Sequence, residues 1–191
     1  VQPMRRHFLF HCILAIGVFL TTLGAADSRA EIVPAFDQKA ERTWNTKKIL
    51  KSPGWWTTGV EHQGGTVRLR GALGRKAEIS VLVRGTMHGS EPTKGYRIRI
   101  TKTQLHLEGL EGGEVTALTD PADIKRPSRG ELELLITHVG PYLTARLYRV
   151  KSARHLGSVF ARDDTHKAGL SAIHLATSSR RKLKLDLFAT R

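Results

Sequence analysis

One cysteine, Cys12, is the whole thiol content of the chain. It lies in the N-terminal leader, so disulfides, thiol catalysis and thiolate metal sites are excluded from the remainder by counting. Beyond the leader no window of a dozen residues carries a clean 3.6-residue apolar stripe, which argues against a helical core. No Gly-x-Ser-x-Gly nucleophile elbow is present. The histidines past residue 30 are His62, His88, His106, His138, His155, His166 and His174, and none falls in a His-x-His or HExxH spacing that would set two imidazoles on one metal ion. Acidic residues are scarce as well. With 17 Asp and Glu against 31 Lys and Arg, the formal net charge is +14.

What is present begins with a targeting pattern. Arg5, Arg6 and His7 form a positive start, Phe8 to Leu23 runs without a formal charge, and small residues follow at Gly24-Ala25-Ala26 and Ser28-Arg29-Ala30. This order is that of a cleavable signal peptide, assigned to residues 1–30 with cleavage after Ala30 preferred to cleavage after Ala26. Met4 is read as the start, with Val1-Gln2-Pro3 left by an upstream reading or a valine-coding start. The alternative is an uncleaved anchor, although a full membrane crossing takes about 20 apolar residues. Either reading exports the domain behind the leader, to the periplasm or the exterior, with membrane contact only through an uncleaved leader. Removing Arg5, Arg6, Arg29 and Asp27 leaves 28 basic against 16 acidic residues, or +12.

About 160 residues remain, enough for one domain that buries a core without staples. Residues 31–53 mix charges with few apolar positions and read as an N-terminal arm offering one edge strand. From Gly54 to Arg191 the pattern changes to short alternating runs bounded by glycine, the signature of half-buried strands. Val67, Leu69 and Gly71 alternate with Arg68 and Arg70. Ile79, Val81 and Val83 follow, then Tyr96, Ile98 and Ile100 alternating with Arg97, Arg99 and Thr101. Leu105 with Leu107, Val115 with Ala117, Leu132 to Ile136, Leu143 to Leu147, Leu156 to Ala161, Gly169 to Ala176 and Leu183 to Ala189 continue the series. Gly140-Pro141 marks a hairpin, and Asp120 to Gly130, with two prolines, reads as a loop. The fold class expected is all-β, a two-sheet antiparallel sandwich.

Two blocks carry a family resemblance. Leu82-Val83-Arg84-Gly85 precedes Gly95-Tyr96-Arg97-Ile98-Arg99-Ile100, and Lys167-Ala168-Gly169-Leu170-Ser171-Ala172-Ile173-His174-Leu175 precedes Leu183-Lys184-Leu185-Asp186-Leu187-Phe188. Together they resemble the concanavalin A-like lectin/glucanase jelly-roll sandwich, in its laminin-G-like or 3-keto-disaccharide hydrolase-like (DUF1080) branch. The resemblance covers roughly Gly54 to Thr190. The chain departs from that pattern at Ala172, where a second glycine is usual, and lacks the Asn-Ser-Gly signature before Arg84. The resemblance implies a carbohydrate-binding module or, as the alternative, a glycoside-processing enzyme of the 3-keto-disaccharide hydrolase type. The sandwich is also similar to the non-catalytic segment of some alkaline phosphatase D-like proteins, which would make it an accessory domain.

Candidate chemistry is sparse. A laminarinase-type hydrolase needs two carboxylates about 5 Å apart, and Glu131-Leu132-Glu133 places two on one face without a third partner. Asp163, Asp164 and His166 cluster in a hairpin where carboxylates could meet calcium, but turn aspartates usually cap their own backbone. No cofactor or metal is therefore expected. Trp44, Trp55 and Trp56 offer aromatic platforms for sugar rings, with at least one expected in the core. Arg68, Arg70, Arg97 and Arg99 recur at period two and are expected to project from one face of neighbouring strands. Such a face would attract an anionic polymer, with Arg180, Arg181, Lys182 and Lys184 as a second basic cluster. In an exported protein the partner is a carbohydrate or an anionic surface polymer, not nucleic acid. The residues selected as ligand-binding are Trp56, Arg84, Tyr96, Arg97 and Arg99.

Overall fold

Alternation in sequence becomes alternation in space because successive strand side chains point to opposite faces of a sheet. The computed structural model describes residues 42–45, 54–72, 77–127, 130–176 and 183–189. The leader expected over 1–30, the arm expected over 31–53 apart from 42–45, and Arg180, Arg181 and Lys182 lie outside the described residues. The strands are β1 (Arg42–Asn45), β2 (Gly54–His62), β3 (Gly65–Gly71), β4 (Ile79–His88), β5 (Glu91–Ile100), β6 (Gln104–Glu111), β7 (Glu114–Ala117), β8 (Ala122–Asp123), β9 (Leu132–Val139), β10 (Tyr142–Arg149), β11 (Arg154–Arg162), β12 (Gly169–Leu175) and β13 (Leu183–Ala189).

Two antiparallel sheets result. The first runs β1-β13-β3-β9-β10-β11, and the second β2-β12-β4-β5-β6-β7 with β8 also paired to β6. Register aligns the apolar positions: Val67 lies opposite Ile136 and Leu187, while Ile98 lies opposite Val81 and Leu107. These residues, with Leu69, Ile79, Ile100, Leu134, Leu143, Leu147 and Ile173, form a single buried cluster between the sheets. At roughly 25 cal/mol per Å² of apolar surface removed from water, this burial is the main force holding the layers together.

Polar side chains pin the ends of the core. Arg126 donates from Nη1 to the carbonyls of Ala77 and Thr101, at the start of β4 and the end of β5. Near the other end of β4, Arg84 donates from Nε to Gln63 O at 2.9 Å and from Nη1 to Gly140 O at 2.8 Å and His166 O at 3.1 Å. The segment read as a loop over Asp120 to Gly130 is thus partly ordered: it holds β8, the buried Ile124 and the buried Arg126. Its prolines, Pro121 and Pro127, bound this piece and keep it from extending into a full strand.

The arginine stripe expected on one face does not form. Arg68 and Arg70 lie on β3 in the first sheet and Arg97 and Arg99 on β5 in the second. All four alternate with core residues, so the two pairs face outward on opposite sides of the sandwich. Period two fixes the face within a strand but says nothing of which sheet the strand joins. The first pair is also compensated, since Arg68 binds Asp186 at 2.6 Å and Arg70 meets Glu131 at 3.3 Å. Lys184 likewise meets Asp186, at 3.2 Å.

Candidate functional site

The five selected residues separate into two groups. Trp56 is half-buried on β2 and packs against the core, opposite Ile173. Arg84 and Tyr96 are buried at one end of the sandwich, whereas Arg97 and Arg99 stand on the outer face of the second sheet.

The Arg84 end is built by backbone geometry. Arg84 has a left-handed φ of 50° at a register shift between β4 and β5. By strict alternation it would share the outer face with Ser80 and Leu82, but the bulge sends its guanidinium to the carbonyls of three loops. Non-glycine residues enter this region at a cost; the three charge-assisted hydrogen bonds offset it. Glycines make room for the bulge: a Cβ on Gly95 would lie 2.7 Å from the Cα of Gly85, and one on Gly169 would lie 2.5 Å from the carbonyl carbon of Arg84. Both glycines have positive φ, 125° and 151°. The Arg-Gly, Gly-Tyr and Ala-Gly-Leu motifs of the sequence therefore meet at one structural knot.

Tyr96 belongs to the same knot. Its hydroxyl donates to Asp163 Oδ1 at 2.6 Å and accepts from the His166 N–H at 3.0 Å. Burial, then the bond to Asp163, pushes the phenol up to about 12. Burial would also raise the Asp163 carboxyl, but donation from Tyr96 and the Thr165 N–H holds it below its ordinary value. Asp163 thus acts as a turn cap, with both donors on one carboxylate oxygen. Among the described residues no three His, Cys, Asp or Glu side chains converge in a metal-binding group.

Next to the knot, His62 and His138 pack ring to ring at 4.9 Å. His62 Nε2 pairs with Ser171 Oγ at 2.6 Å; neither ring nitrogen of the fully buried His138 meets a protein hydrogen-bond partner. Burial, then the charge of Arg84, lowers His62 to about 4. Burial, then His62 and Arg84, lowers His138 to about 3. Both rings are neutral near pH 7.

The outer face of the second sheet has different chemistry. Glu108 on β6, opposite Arg97 in register, receives Arg97 Nε at 2.6 Å, Arg99 Nε at 3.2 Å and Arg99 Nη2 at 2.9 Å. Arg99 also reaches Glu78 at 3.4 Å. Burial would raise the Glu108 carboxyl, but the hydrogen bonds and charges of Arg99 and Arg97 outweigh it and hold the group below its ordinary value. Glu108 stays ionised and positions the arginines; it is not poised to donate a proton. The arginine side chains keep 23% and 28% of their surface exposed while Glu108 keeps 7%, so the cations, not the anion, face outward.

Imidazoles and an indole extend this face. His106 lies opposite Arg99, and burial, then the charge of Arg99, lowers its pKa. His174 on β12 lies opposite both Ser80 and Trp55, and burial lowers its pKa too. Its ring sits 5.0 Å from that of Trp55, tilted by 40°. Of the tandem tryptophans, then, Trp56 serves the core and Trp55 the outer face. Sequence reasoning missed Glu108, His106 and His174. Glu108 had a local signal, an acid at an outward position of a strand next to the two arginines, but the β5–β6 pairing was needed to use it.

No protein-family model matches the chain, and no curated protein does. Among solved structures, the carbohydrate-binding module CBM66 from Bacillus subtilis is similar over 78% of this chain and 92% of its own, with a TM-score of 0.55 at 10% identity. The galectin LEC-6 from Caenorhabditis elegans is similar over 71% of this chain and 89% of its own, with a TM-score of 0.45 at 13% identity. The strand topology and the first of these likenesses define the class: an antiparallel jelly-roll β-sandwich.

Proposed function

We propose that this chain is an exported, non-catalytic sandwich module that binds carbohydrate through the outer face of its second sheet. Arg97 and Arg99 supply donors to sugar oxygens, and Trp55 beside His174 supplies an apolar edge for a ring. The observation that carries the reading is the clamp: one buried carboxylate, Glu108, fixes two partly exposed guanidiniums. Arginine carries five N–H donors, and fixing it in advance reduces the ordering cost of binding. The fold likeness to a carbohydrate-binding module supports this reading. The Arg84-Gly85, Gly95-Tyr96 and Gly169 knot supports placement in the laminin-G-like or 3-keto-disaccharide hydrolase-like branch. The apolar leader at 1–30 supports a secreted or periplasmic location.

The test is isothermal titration of the purified protein against a panel of neutral and acidic polysaccharides. Binding to at least one, weakened at least tenfold by Arg97→Gln or Arg99→Gln with little change in melting temperature, is the expected result. Absence of binding across the panel, or binding indifferent to both substitutions, would refute it.

A further inference from the structure

The first sheet has an outer face of its own, on the opposite side of the sandwich from Arg97 and Arg99. Where β9, β10 and β11 run side by side, register sets Val139, Tyr142 and Arg162 in one row and Thr137, Thr144 and Phe160 in the next. Val139, Tyr142 and Phe160 are 48%, 50% and 56% exposed, and of the large apolar side chains exposed among the described residues only Val115 lies elsewhere. The rings of Tyr142 and Phe160 are near-parallel, 20° apart with centroids at 6.2 Å. The Arg162 guanidinium lies 6.0 Å from the Tyr142 ring centroid, and Arg146 follows one row beyond Thr144.

Charge distinguishes this corner from the part of its sheet around β3 and β13. Arg68 and Arg70, nearer the other edge, are matched by Asp186 and Glu131. Among the described residues neither Arg146 nor Arg162 meets a carboxylate. Glu133, further along β9, is buried. The corner thus combines two exposed rings, a pair of threonine hydroxyls and two uncompensated cations. It is too small and too polar at its margin for a stable self-interface: an aromatic side chain offers about 200 Å², these are half-buried, and a typical partner surface is about 800 Å².

We propose that this corner is a second binding surface, specific for an acidic polysaccharide. The C–H face of a sugar ring rests on the Tyr142–Phe160 pair, and its carboxylate or sulfate meets Arg162 and Arg146. The proposal rests on the reading of the sandwich as a glycan binder, and it makes the molecule two-faced, able to hold two chains at once. Steep salt dependence is expected here, because the ligand's charge is met by exposed cations.

The experiment titrates the full chain with polygalacturonate and, separately, with the neutral polysaccharides of the same panel. Tyr142→Ala and Phe160→Ser should weaken polygalacturonate at least tenfold and leave binding of the neutral polymers unchanged. Tyr142→Phe, which keeps the ring, should retain affinity, and Arg162→Gln should flatten the salt dependence. Polygalacturonate binding that ignores Tyr142→Ala and Phe160→Ser overturns the second surface alone. If no polymer binds, the carbohydrate reading falls and this inference with it. A dimer in sedimentation that Phe160→Ser dissociates would also overturn it, assigning the corner to a second copy of the chain.

Discussion

Arg84 and Arg97 occupy neighbouring, paired strands of one sheet, yet they do opposite work. Arg84 is 3% exposed and spends its donors on three backbone carbonyls. Arg97 is about a quarter exposed and leans on one carboxylate. The difference lies in the backbone. A left-handed residue at the bulge turns Arg84 off the outer face, while regular alternation leaves Arg97 on it. Arg84 is thus turned inward by its left-handed backbone at a register shift, whereas an arginine in plain alternation marks a presented surface.

Acid should break this comparison hardest, because the histidines beside Arg84 must stay neutral for the knot to close. His62 and His138 have folded pKa values of about 4 and about 3 against an unfolded value near 6.5. The unfolded chain therefore binds more protons below pH 6.5, and the stability present above that value is lost as pH falls toward 4. The slope approaches about 3 kcal/mol per pH unit for two such groups. His106 and His174 add in the same direction, while Glu108, Asp163 and Asp186 lose their contributions only at lower pH. Thermal melts from pH 7.5 to 4.5 should show a steep fall that His138→Leu makes shallower. A flat profile over that range would contradict the neutral pair.

Backbone crowding comes next. Gly169→Ala places a methyl against the Arg84 and Gly85 backbone, which cannot yield as a flexible side chain would. A loss of about 4 kcal/mol is expected, read by urea unfolding. Gly140→Ala, at a positive-φ turn with open space around it, should cost only about 1 kcal/mol. Equal losses would show that crowding is not the cause. Arg84→Gln, which strips the charge from the knot, should cost about 3 kcal/mol, with the loops at Gln63, Gly140 and His166 losing amide-exchange protection together.

The smallest stability effect belongs to the presented face. Glu108→Gln should cost about 1 kcal/mol, because Arg97 and Arg99 remain partly solvated. Its influence on carbohydrate affinity should be larger, at least fivefold, since the guanidiniums lose their fixed orientation. If unfolding measurements show Glu108→Gln as damaging as Arg84→Gln, the distinction between knot and surface collapses.

The strands were legible residue by residue. Tyr96, Ile98 and Ile100 against Arg97 and Arg99 announced both the strand and its two faces, and the structure keeps that assignment. Phe160 was harder to place, since Val159, Phe160 and Ala161 are all apolar and alternation gives no sign of which one faces out. Arg84 and Tyr96, expected as ligand contacts, are internal ties in the structure.

By itself the sequence determined which side chains each strand could bury, because a period of two follows from the pleat of a single chain segment. Only the tertiary structure decided that β3 and β5 belong to different sheets, that Glu108 comes to lie under two arginines, and that Arg84 leaves the face its position implied. Those outcomes depend on pairing between distant segments and on one left-handed residue, and neither leaves a periodic trace in the order of amino acids.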